Sequence, residues 1–80
     1  MALYIHIRKL REDAHSAEYA YGSDDAQPGV LRIERATGAV TLISPCVPEA
    51  EGLAYFLRAE HKLRKHWKAG ELPDTTCWAS

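Results

Sequence analysis

The stretch Val30–Ile43, "VLRIERATGAVTLI", decides the fold. Leu31 and Ile33 alternate with Arg32 and Glu34. After "RATG", Val40 and Leu42 resume the apolar set, with Ala39, Thr41 and Ile43 on the opposite side. Two period-two runs joined by a short turn predict a tight antiparallel hairpin with one apolar face. Gly38 suits the left-handed position of a bulge-type turn. Such a hairpin is marginal alone, so the flanking sequence must supply further strands and a cover.

Upstream, Leu3 to Leu10 alternates in the same way. Leu3, Ile5 and Ile7 fall on one face, and Tyr4, His6 and Arg8 on the other. A charged connection leads to a second strand marked by Ala17, Tyr19 and Tyr21, with Glu18 and Ala20 opposite. "GSDDAQPG", Gly22 to Gly29, has loop composition.

Downstream, a helix is predicted from about Pro48 to about Ala69. Proline suits a first turn, where its missing N–H is not needed. Glu49 and Glu51 near the start and Arg64, Lys65 and Lys68 near the end complement the helix dipole. Gly52 weakens the first turns, and Gly70 suits the stop. The expected apolar stripe is Leu53, Phe56, Leu57, Leu63 and Trp67, at spacings that put one face on a core.

The fold class expected is therefore α+β. A four-stranded antiparallel meander carries one C-terminal helix on one face (ββββα), and a short irregular tail follows over residues 71–80. Pro73 stops the tail from continuing the helix. At roughly 3.3 Å per residue it can reach back along the sheet. Two fates for Trp78 follow: it seals the open end of the core with Leu72, or it stands out as an interface anchor.

The 80 residues, 46% hydrophobic and 26% charged, make one globular domain spanning 1–80. A net charge of −1 gives no support for general nucleic-acid affinity. The N-terminus lacks a signal peptide's order, and no apolar run approaches the roughly 20 residues that span a bilayer. A soluble cytoplasmic protein with reduced cysteines, not bound to membrane, is the expectation.

Candidate chemistry is sparse. Cys46 and Cys77 flank the helix, and the tail is too short for an easy disulfide between them. Four histidines and two cysteines lack metal-ligand spacing, since His61 and His66 diverge around the helix. Asp24 and Asp25 read as a solvated loop without the spacing of a calcium site. No phosphate-binding glycine loop is present, and no metal or cofactor is expected. Cys46 alone has an activation route, just before a helix N-terminus, but nothing nearby supplies a general base. A small apolar filler is the plainer reading of it.

The helix stretch "RAEHKLRKHWK" places Arg58, Lys62 and Lys65 on one flank, suited to phosphate contacts in a nucleic-acid module. A solvated, dipole-satisfying face explains the same residues. The opposite sheet face is the more suggestive surface. One helix covers one face, leaving Tyr4, His6, Arg8, Glu18, Ala20, Val30, Arg32, Glu34, Thr41 and Ile43 on the other. Such a face can simply meet water, yet tyrosine and arginine are typical of interfaces. The reading is a small non-enzymatic module that binds another protein or a second copy of itself. Tyr4, His6, Arg32 and Trp78 are the anchors. By shape alone the plan resembles small immunity proteins that plug toxins. The alternatives are nucleic-acid binding through Arg58, Lys62 and Lys65, and a Cys46-dependent enzyme.

Overall fold

A computed structural model of the chain describes residues 4–23, 27–46 and 53–79. Strands β1 (Tyr4–Glu12), β2 (Ser16–Gly22), β3 (Gly29–Glu34) and β4 (Val40–Ser44) precede helix α1 (Ala54–Lys68) and strand β5 (Thr75–Ala79). All pairings are antiparallel, in the order β4-β3-β2-β1-β5. The meander of the first four strands and the helix on one face are as the alternation implies. The tail differs. Its last part is no irregular segment: it forms β5 and pairs with β1, from Tyr4 opposite Ala79 to Arg8 opposite Thr75.

"TTCWA" is β-prone, and strand β1 offers an unpaired edge beside it. Three contacts steer the tail there. The Tyr19 hydroxyl donates to the Pro73 carbonyl at 2.6 Å. Lys9 Nζ donates to the Leu72 carbonyl at 2.9 Å, and the Lys9 amide to the Asp74 carbonyl at 2.7 Å.

The core lies between the sheet and α1. Ile5, Ile7, Ala17, Tyr19, Tyr21, Leu31 and Ile33 come from the sheet and are almost wholly buried. Phe56, Ala59 and Leu63 come from the helix. This stripe corrects the expected one. Ala59 takes a central place, while Leu57 is 51% exposed and Leu53 is exposed too. With Phe56 and Leu63 fixed, Leu57 points about 100° away from Phe56, off the core face. The predicted first turns, with Pro48, Glu49, Glu51 and Gly52, lie outside the described residues, as do Leu3, Asp24 and Asp25.

Two devices close the structure. At the helix end, the Gly70 amide donates to the Trp67 carbonyl and the Glu71 amide to that of His66, with Gly70 at φ 87°. This is a Schellman stop, and the sequence places its glycine correctly. At the β3–β4 turn, Gly38 has φ 76° and its amide donates to the Glu34 carbonyl. The Trp67 ring lies over Gly38, and its Nε1 donates to the Arg35 carbonyl at 2.8 Å. The helix C-terminus is thereby latched to the β3–β4 turn.

Candidate functional site

The pleat assigns each strand residue to a face. Trp78 pairs with Ile5 and so faces the helix, where it packs against the core half-buried. The Arg58 guanidinium lies 5.1 Å from its ring centroid. The tail thus seals the core side of the sheet, as the first of the two fates for Trp78 requires. Of the four anchors read from sequence, Tyr4, His6 and Arg32 share the outer face and Trp78 lies on the opposite one.

No described residue covers the outer face. Tyr4 is 47% exposed, and its ring meets that of His6 edge-on at 4.6 Å. His6 pairs with Gly22 on one side and Cys77 on the other; Arg8 pairs with Ala20 and Thr75. Small neighbours on both flanks leave a shallow concavity of about 380 Å³ around His6 and Arg8, bounded by Ala20, Gly22, Pro28 and Thr75. Arg8 makes no ion pair among the described residues, and no described carboxylate lines this concavity. Sequence reasoning placed Arg8 on this face but did not single it out. The small residues around it become visible only once the strand register is known.

Further along the same face, Glu18 is clamped between two arginines. It accepts from Arg11 at 3.1 and 3.2 Å and from Arg32 at 3.3 and 3.4 Å. The hydrogen bond from Arg11, then that from Arg32, holds the Glu18 carboxyl below the usual glutamate range. Register lets this happen: a bulge between Lys9 and Arg11 returns Arg11 to the outer face opposite Glu18, and Glu18 pairs with Arg32. Arg32 is therefore committed to a carboxylate within the sheet, while Arg8 is not.

The proposed nucleic-acid contacts divide. Lys65 is exposed, and Lys62 and Arg58 are half-buried. The Arg58 Nη1 donates to the Ala54 carbonyl at 3.2 Å, and its Nε is buried without a hydrogen bond. On the same flank, His66 Nε2 and Thr76 Oγ1 lie 3.0 Å apart. Cys46 is buried, 2% exposed, and Cys77 is half-buried on the outer face; the two do not form a disulfide. Among the described residues no three His, Cys, Asp or Glu side chains gather as metal ligands, and no helix is long and apolar enough to cross a membrane.

The fold and this surface define a small α+β protein with a one-sided antiparallel sheet. Comparison of the chain with protein-family models, curated proteins and solved structures finds no match.

Proposed function

We propose that this chain is a non-enzymatic protein-binding module whose outer sheet face docks a partner protein that presents carboxylates. It acts in the cytoplasm, where cysteines outside disulfides, such as Cys46 and Cys77, stay reduced. The observation that carries the reading is the juxtaposition of the exposed Tyr4–His6 ring pair with Arg8, a cation left without a described counter-charge, in a concavity floored by small residues. An amphipathic ring beside an arginine is the composition of binding hot spots. The face also carries Arg8, Arg11 and Arg32 against Glu18 and Glu34, so its complement is acidic. Burial of the Cys46 sulfur favours its role as an apolar filler over that of a nucleophile.

The test uses the full chain as bait in extracts of the cell that makes it, beside a Tyr4→Ala/Arg8→Glu variant of unchanged circular dichroism and Tm. The expected result is a protein retained by the wild type, lost by the variant, and bound again when purified. Equal retention by both baits, or none, overturns the reading.

A further inference from the structure

We infer that the free edge of β5, together with the basic flank of α1, forms a second binding site, one that takes an extended acidic peptide as a sixth strand. It concerns the sheet edge and stands or falls separately from docking on the outer face.

The backbone phase is fixed by one bond. The Lys9 amide donates to the Asp74 carbonyl, so Lys9 and Asp74 form a hydrogen-bonded pair. In an antiparallel ladder such pairs alternate. Carried along the register, Ile7 with Thr76 and Ile5 with Trp78 are the bonded pairs. The amides and carbonyls of Thr75, Cys77 and Ala79 then point away from β1, into the open edge. They present about six donors and acceptors to an incoming strand.

The two edges of this sheet are not alike. At β4 the register slips between Val30 and Leu31, so that Leu42 and Ser44 are paired and Ile43 bulges; Pro45 follows directly. A bulge and a proline are the usual guards of an edge. β5 has neither. Its register with β1 is unbroken, and "TTCWA" contains no charge and no proline.

Charge selects the occupant. The helix flank over β5 is marked by Arg58 above Trp78 and His66 beside Thr76. Lys62, one turn after Arg58 and one turn before His66, continues that flank, and neither Arg58 nor Lys62 pairs with a carboxylate among the described residues. Alternate side chains of an added strand, about 6.6 Å apart, would meet residues spaced by a helical turn of about 5.4 Å. Acidic residues at every second position fit that row. A second copy of this chain fits poorly, because pairing about β5 sets the two basic flanks against each other.

The experiment is fluorescence anisotropy with a labelled six-residue peptide alternating glutamate with valine. Its lysine–valine counterpart and a single-stranded oligothymidylate of matched charge serve as the other probes. The acidic peptide is expected to bind with a dissociation constant below about 100 μM at low salt. Lys62→Glu weakens it at least about tenfold. Cys77→Pro removes an edge-facing donor but no bond to β1, and abolishes binding with the fold retained. The peptide N-methylated at alternate amides does not bind, which keeps the test open if Cys77→Pro fails to fold. The Tyr4→Ala/Arg8→Glu variant retains peptide affinity within about threefold, since its change lies on the other face. Three results overturn the proposal: no binding of the acidic peptide, tighter binding of the oligonucleotide at equal ionic strength, or a sedimenting dimer that the same substitutions dissociate.

Discussion

Tyr19 is fully buried, yet its hydroxyl reaches the Pro73 carbonyl, so one side chain joins the sheet centre to the tail. Burial, with the nearby Asp74 charge, pushes its phenol up to about 12 from an ordinary value of 10. The raised folded value means that the neutral form is the one the fold holds. Its contribution is complete below about pH 10 and is lost as pH rises toward 12. Tyr19→Phe is expected to cost about 0.5–1.5 kcal/mol at neutral pH and to decline less steeply above pH 10, read by urea unfolding across pH. The carboxyl groups behave oppositely. Asp13 is held low by the amides of Ser16 and then His15, and Glu18 by Arg11 and then Arg32. Stability from these groups is present above the ordinary carboxylate range and falls away as acid protonates them. Glu18→Gln should therefore flatten the loss of Tm below about pH 4. At Gly38, an added Cβ meets the Trp67 ring at 2.6 Å and carries a φ of 76°. Gly38→Ala is expected to destabilise by about 1–3 kcal/mol, with the Trp67 fluorescence shifted to the red as its latch opens.

Strand β5 gives a sharper contrast. Thr76 and Cys77 are neighbours, but the alternation of the ladder sends the Thr76 amide to β1 and the Cys77 amide outward. Thr76→Pro should cost about 2–4 kcal/mol in chemical denaturation, and Cys77→Pro markedly less. Equal costs would show the phase to be wrong. The sequence makes the hairpin of β3 and β4 legible because Leu31, Ile33, Val40 and Leu42 alternate without interruption around a turn glycine. It makes the helix stop legible at Gly70 for the same kind of local reason. β5 escapes it because "TTCWA" is only five residues, follows a proline, and becomes a strand through the unpaired edge of β1, which is seventy residues away in the chain. The helical stripe is half legible. Leu57 satisfies the spacing rule but lies about 100° beyond the edge of the arc that Phe56, Ala59 and Leu63 define.

Across the whole molecule, the two cysteines report the two sides of the sheet. Cys46 is buried beside Gly29 and Gly22, whereas Cys77 is half-buried on the outer face. A neutral thiol reagent should label Cys77 in the native protein and Cys46 only at the rate of unfolding; rapid labelling of both would place Cys46 at the surface. The outer face was legible as a list of residues but not as a site. Alternation alone orders Tyr4, His6 and Arg8, while the register shows that Arg32 is held by Glu18 and that Arg8 is not. The pairing of Tyr4 with Ala79 has a last consequence. Because β1 is completed on one flank by β5, a growing chain holds β1 with a bare flank until Thr75–Ala79 has been made and has folded back. Closure of that flank spans the longest loop among the described strand pairings, which makes it the slowest pairing for the sheet to form.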